Sequence, residues 1–168
     1  MTQALLLTGG GGAGKTSLGQ AIGRLLTDRS LPTAVIDLDA LAQFGGGAPA
    51  HEDLRRRNLA AVWANYRWAG AQYVVVSGVI ESAAQRAAYG QCLAGCAVQV
   101  VRVATPLELV ERRTAGAVRG PEWELDAALA SHERVERAGL EDFVVVNDRP
   151  LAEVAEETLV RAGWFGGN

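Results

Sequence analysis

The stretch Gly9-Gly10-Gly11-Gly12-Ala13-Gly14-Lys15-Thr16 (GGGGAGKT) decides how the rest of the chain is read. It satisfies G-x-x-x-x-G-K-[ST] without a mismatch, follows the apolar run Ala4–Leu7 and precedes a helical pattern that opens near Ser17. A strand, such a loop and a helix in that order form a phosphate cradle. Glycines let the backbone turn its N–H groups inward, because no Cβ blocks the required φ values. The helix that follows contributes its free N–H groups and positive dipole end. Lys15 brings a point charge to the outer phosphates, and the Thr16 hydroxyl is a natural Mg²⁺ ligand. Lys15 is the only lysine among 16 basic residues, the rest being arginine. A chain that uses arginine elsewhere has kept the compact ammonium where it meets phosphate. The cradle from Gly9 to Ser17 predicts nucleoside triphosphate binding.

Outward from the loop, short β-branched runs alternate with longer helical segments. Strands are expected at Ala4–Thr8, Thr33–Asp37, Tyr73–Ser77, Val98–Val103 and Phe143–Val146. Helices are expected at Lys15–Asp28, Glu52–Ala69, Glu81–Ala94, Glu122–Ala138 and Leu151–Ala162, with another running to about Thr114 from a Thr105-Pro106 start. The first helix carries Leu18, Ala21, Ile22, Leu25 and Leu26 at the spacing of one buried face. Tyr73–Ser77 is a continuous apolar run of the kind a parallel strand buried on both faces requires. Five strands separated by helices predict an α/β fold: a doubly wound parallel sheet with right-handed crossovers and helices on both faces. Residues 1–168 read as a single domain, large enough for its own core and without an internal repeat.

Composition narrows the function. Hydrophobic residues at 49% and charged residues at 21% suit an ordinary globular protein. A net charge of −3 gives no nucleic-acid footprint, and the Arg55-Arg56-Arg57 cluster is too short to supply one. No signal sequence and no run of membrane-spanning length is visible, so a cytoplasmic protein without a membrane partner is expected. Cys92, Cys96, His51 and His132 have neither metal-ligand nor disulfide-framework spacing. Monomer and homodimer both remain open.

In such sheets ligands gather at the carboxyl ends of the strands. Strand two ends in Asp37-Leu38-Asp39, whose two carboxylates alternation points the same way, beside the loop. One can hold Mg²⁺ with Thr16, and the other can position or deprotonate an acceptor hydroxyl. Asp39 also fits a helix N-cap before Ala40-Leu41. Strand three ends in Ser77-Gly78 where a motor or transporter ATPase would place an acidic residue, and no LSGGQ-like stretch occurs. A guanine-reading N-K-x-D is excluded, because Lys15 has no second lysine beside it. Glu81 either contacts substrate or is a solvated helix-start carboxylate. Arg55, Trp63 and their neighbours either line an acceptor pocket, where arginine would meet an anionic acceptor, or belong to an ordinary solvated helix. Asn147 after strand five either contacts a base or closes an Asx-type turn with Pro150. The run Gly45-Gly46-Gly47 predicts a loop at the pocket mouth that closes on substrate.

The glycine loop followed by Val35-Ile36-Asp37-Leu38-Asp39-Ala40-Leu41 resembles the small P-loop kinases: shikimate kinase, gluconate kinase, adenylylsulfate kinase and chloramphenicol phosphotransferase. The resemblance follows the whole chain in element order, with the loop and D-x-D as its specific motifs. It implies the three-layer P-loop NTPase fold, a five-stranded parallel sheet with a short lid over about 112–122. It also implies ATP and Mg²⁺ and a small-molecule hydroxyl acceptor, a metabolite or an antibiotic. Asp39 would then be the base, Asp37 the carboxylate near the metal, and lid arginines would cover the transferring phosphate, Arg112 first, Arg113 next and Arg119 third.

Overall fold

Strand β1 (Thr2–Thr8) is the middle of the sheet, and Ala4 to Leu7 are each no more than 1% exposed. Burial on both faces is what its unbroken apolar run encodes. A computed structural model describes residues 1–44, 51–115 and 125–165. From β1 the chain runs through α1 (Lys15–Asp28), β2 (Thr33–Asp37), a short 3₁₀ turn (Ala40–Ala42), α2 (His51–Trp68) and β3 (Tyr73–Ser77). It continues through α3 (Ala83–Cys92), β4 (Cys96–Ala104), α4 (Leu107–Ala115), α5 (Leu125–Ala138), β5 (Phe143–Val146) and α6 (Leu151–Arg161). The five strands are all parallel in the order β2-β3-β1-β4-β5, as the alternation of strands and helices predicts.

Side-chain alternation along β1 divides the core into two layers. Leu5 and Leu7 face Leu18, Ile22 and Leu26 of α1 and Val154 and Leu159 of α6. Ala4 and Leu6 face the other way, toward Leu59 and Trp63 of α2 and Tyr89 of α3. Helices therefore cover both faces, giving three layers.

Two strands are longer than their apolar runs suggest. β1 begins at Thr2 and β4 at Cys96 because these residues are paired with each other in the ladder. Pairing, not hydrophobicity, sets those ends. Both cysteines are free thiols, and burial pushes Cys96 up to about 11. The expected helix from Glu81 begins at Ala83, with the Ser82 hydroxyl accepting from the Gln85 N–H at 3.2 Å as its cap. The glycine run 45–47 and most of the expected lid, Arg119 included, lie outside the described residues.

Candidate functional site

The chain leaves β1 toward β2 on one side and returns to β4 on the other, so the carboxyl end of β1 is the switch point of the sheet. Residues 9–14 emerge there. Gly14 opens α1 at φ 87°, left-handed backbone that suits glycine, and a Cβ on it would collide with the Asn147 amide. A Cβ on Gly9 would stand 2.6 Å from the Val103 carbonyl oxygen. The loop thus needs glycine at both ends, once for conformation and once for close approach. Lys15 Nζ curls back to donate to the Gly10 carbonyl at 3.0 Å.

The loop is braced from distant parts of the chain. The buried Ala13 carbonyl accepts from Thr105 Oγ1 at 2.9 Å and from Asn147 Nδ2 at 2.8 Å. Arg113 reaches over from α4 to the Gly12 and Ala13 carbonyls at 3.5 Å and to the Asn147 carbonyl at 3.4 Å. From α5, Ser131 Oγ accepts from the Gly11 N–H at 2.7 Å, and the His132 ring bonds to the Gly11 carbonyl at 2.8 Å. A carbonyl can only accept, so Nε2 of His132 carries the proton. Burial holds the His132 pKa below its ordinary value, with Lys15 and Arg102 adding to the effect and the Gly11 bond and Glu136 opposing it.

Several expectations are corrected here. Asn147 is 1% exposed and its amide is turned to Ala13, so the side chain makes no Asx-type turn with Pro150. Thr105 spends its hydroxyl on the loop instead of capping α4. Arg112 and Arg113 are both exposed on α4, and of the two it is Arg113 that touches the loop. Ser131, His132 and Thr105 were not among the predicted site residues.

At the end of β2 the D-x-D pair divides. Thr16 Oγ1 donates to Asp37 Oδ2 at 3.0 Å, and the Asp39 N–H donates to Asp37 Oδ1 at 2.9 Å. Asp39 begins the 3₁₀ turn but its side chain caps nothing. It lines a cavity of about 180 Å³ together with Arg55, Glu81, Gln85 and Tyr89, floored by Leu38 and Val79. Arg55 is held by the Leu38 carbonyl at 3.2 Å and Glu52 at 3.0 Å. Burial alone would lower its pKa, but Tyr89, Glu52 and Asp39 outweigh it and raise it. Glu81 receives Arg134 from α5 at 2.9 Å, so it is a paired carboxylate at the cavity rim, not a freely solvated one. Trp63 does not wall this cavity. It is 2% exposed, and Nε1 donates to the Ala94 carbonyl at 3.3 Å, at the start of β4, whereas the loop lies at the strands' carboxyl ends. Arg56 pairs instead with Asp53 on the surface.

The oxygens of Thr16 and Asp37 are hard ligands at the foot of the phosphate loop, a donor set suited to Mg²⁺ that keeps water and phosphate as its other ligands. Among the described residues no cluster of three or more His, Cys, Asp or Glu residues is able to hold a metal on its own. No described helix is long and apolar enough to cross a membrane.

No protein-family model matches the chain, and no curated protein matches it in sequence. Solved structures do. The Mycobacterium tuberculosis APS kinase, solved with AMPPNP and APS, superposes with a TM-score of 0.67 at 23% identity, over 98% of this chain and 98% of its own. A gluconokinase from Sinorhizobium meliloti gives 0.63 at 25% identity, over 96% and 92%. The tunicamycin resistance protein of Deinococcus radiodurans gives 0.69 at 18% identity, over 97% and 96%. This chain is therefore built on the fold of the small P-loop kinases.

Proposed function

We propose that the protein is an ATP- and Mg²⁺-dependent kinase that transfers the γ-phosphoryl group to a hydroxyl of a small molecule. The observation that carries this reading is the division of the D-x-D pair. Asp37 is tied to Thr16 at the phosphate loop, while Asp39, two residues on, opens into a separate polar cavity. Donor and acceptor halves thus meet at the end of β2. A metal held by Thr16 and Asp37 would neutralise charge on the phosphates.

In this reading the loop amides and Lys15 bind the β- and γ-phosphates, and Asp39 aligns the acceptor hydroxyl and takes its proton. The new P–O bond forms to the acceptor oxygen as the bond from the γ-phosphorus to the bridging oxygen breaks, and the ADP oxygen keeps the electron pair. Arg113 adds a positive charge beside the loop when the site closes. The Asn147 carbonyl, which Arg113 touches, lies on the adenine side of the loop in this assignment. Use of ATP and the free thiols of Cys92 and Cys96 fit a cytoplasmic enzyme.

The test is a coupled ADP-release assay over hydroxylated small molecules, with Lys15→Ala as control. Release that depends on both an acceptor and Lys15 supports the kinase. ADP release indifferent to every acceptor, from a protein that binds MgATP, would indicate an ATPase or a nucleotide-binding protein instead.

A further inference from the structure

Four consecutive glycines, Gly9 to Gly12, form the first half of the phosphate loop. Glycine loses more conformational freedom on ordering than any other residue, so this run does not hold the shape of a phosphate cradle by itself. The shape has to be imposed by neighbours. Next to α1, Thr105 and Asn147 do so through the Ala13 carbonyl. At the Gly10–Gly11 tip the neighbour is α5.

Ser131 and His132 take hold of one residue, Gly11, by both of its backbone groups. The Gly11 N–H donates to Ser131 Oγ at 2.7 Å, and the Gly11 carbonyl accepts from His132 Nε2 at 2.8 Å. Ser131 in turn donates to the Ala128 carbonyl at 2.7 Å, which fixes its hydroxyl with a lone pair toward Gly11. Gly10 lies against the same turn of helix: a Cβ there would collide with the His132 ring and stand 2.7 Å from the His132 backbone nitrogen. Away from the loop, α5 is tied to the rest of the protein by Arg134 to Glu81 at 2.9 Å and by Glu136 to Arg102 at 3.8 Å. The loop tip is thus docked on a helix that has anchors of its own.

The tip in turn holds the lysine. The Gly10 carbonyl accepts from Lys15 Nζ at 3.0 Å and from the Ala13 N–H at 3.2 Å. Placing Gly10 therefore places the ammonium. In a loop of this kind the backbone N–H groups cradle the inner phosphates, while the lysine reaches the β- and γ-phosphates. Contacts that set the ammonium bear on the outermost phosphate more than on the inner ones.

We infer that Ser131 and His132 are positioning residues for the γ-phosphate: by docking the Gly10–Gly11 tip on α5 they preorganise Lys15 for a triphosphate and set how strongly the loop prefers ATP to ADP. Neither touches the nucleotide in this assignment, and both act through Gly11. This role rests on the nucleotide site of the kinase reading and is independent of the acceptor.

Calorimetry with MgAMPPNP, which keeps a γ-phosphoryl group and is not turned over, and with MgADP tests it on wild type, Ser131→Ala, His132→Leu and His132→Gln. Releasing about one backbone residue of the tip is expected to raise Kd for MgAMPPNP about tenfold in Ser131→Ala and in His132→Leu. Kd for MgADP is expected to stay within about threefold of wild type in both. A glutamine amide offers an N–H in place of Nε2, so His132→Gln is expected to stay within about threefold of wild type for both nucleotides. Ser131→Ala removes a single oxygen and keeps the test open should His132→Leu fail to fold. Losses for MgADP as large as those for MgAMPPNP would overturn this role, because a merely structural brace moves the two nucleotides together. Unchanged MgAMPPNP binding in Ser131→Ala would overturn it for Ser131, and a His132→Gln no better than His132→Leu would overturn it for His132. All three results leave nucleotide binding at the loop standing. Wild type that binds neither nucleotide would overturn the kinase reading as well.

Discussion

Thr16 Oγ1 donates to Asp37 Oδ2 at 3.0 Å, joining the first turn of α1 to the last residue of β2 across 21 positions of sequence. Asp37 is further fixed by the Asp39 N–H on its other oxygen. A carboxylate held this way has little freedom left to lose when a cation arrives. The hydroxyl must turn its proton elsewhere and present its lone pairs to the metal, which a rotating Thr O–H does readily.

Asp37→Asn is therefore expected to raise the Mg²⁺ concentration needed for half-maximal turnover by ~10–100-fold. Nucleotide affinity measured without Mg²⁺ stays within about threefold. A Mg²⁺ titration of initial rates on the two proteins checks it. A parallel drop in rate at every Mg²⁺ concentration would remove Asp37 from the metal site.

Arg113 and Arg112 are expected to behave differently although they are neighbours. Both are exposed, but Arg113 touches the carbonyls of Gly12, Ala13 and Asn147, a set of contacts Arg112 does not make among the described residues. Arg113→Ala should lower kcat by ~10²–10³, and Arg112→Ala by less than about tenfold. Steady-state kinetics at saturating ATP separates the two.

The brace beneath the loop is expected to show in stability first. Asn147→Ala removes a buried donor from the Ala13 carbonyl and leaves that oxygen to Thr105 and, at 3.5 Å, Arg113. A cost of about 1–3 kcal/mol is expected, read as a fall in Tm of several degrees. Gly14→Ala places a Cβ on left-handed backbone and against Asn147. It should abolish MgATP binding in calorimetry, and the double variant with Asn147→Ala should recover little of it, because the backbone conformation is still wrong.

The framework of this molecule was legible because burial on two faces leaves its mark on the sequence. Thr33–Asp37, Tyr73–Ser77 and Phe143–Val146 were bounded to the residue, and the loop announced itself by glycine spacing. The braces were not legible. Ser131 and His132 meet Gly11 from 120 and 121 positions away, and Asn147 meets Ala13 from 134. No local pattern encodes such a meeting. Which of Arg112 and Arg113 faces the loop is not legible in sequence, for a geometric reason: successive helical residues point about 100° apart, and only the packing of α4 says which one does. Trp63 was misplaced along the helix axis. The spacing of α2 tells which face is buried, but not which end of the sheet a given turn lies over.

Stability should also depend on His132. Burial lowers its pKa from the ordinary 6.5, with Lys15 and Arg102 adding to that and the Gly11 bond and Glu136 opposing it. The folded state thus binds fewer protons at this group than the unfolded state. Its contribution is full above pH 6.5 and is lost as pH falls through 6.5 toward the lowered folded value. Tm measured from pH 8 to 5 is expected to fall in that window, and His132→Gln is expected to flatten the part of the fall that His132 causes. Identical profiles for the two proteins would show that the ring is not held neutral by the fold.

In the proposed reaction Asp39 acts on an acceptor hydroxyl placed against the donor loop. Transfer of label from [γ-³²P]ATP to the best acceptor, in wild type and in Asp39→Asn, tests it most directly. Wild type is expected to give labelled, ester-bound product, and Asp39→Asn to lose ~10²–10³ in that rate with its MgATP affinity unchanged. Label found only as inorganic phosphate, or transfer by Asp39→Asn as fast as by wild type, would contradict it.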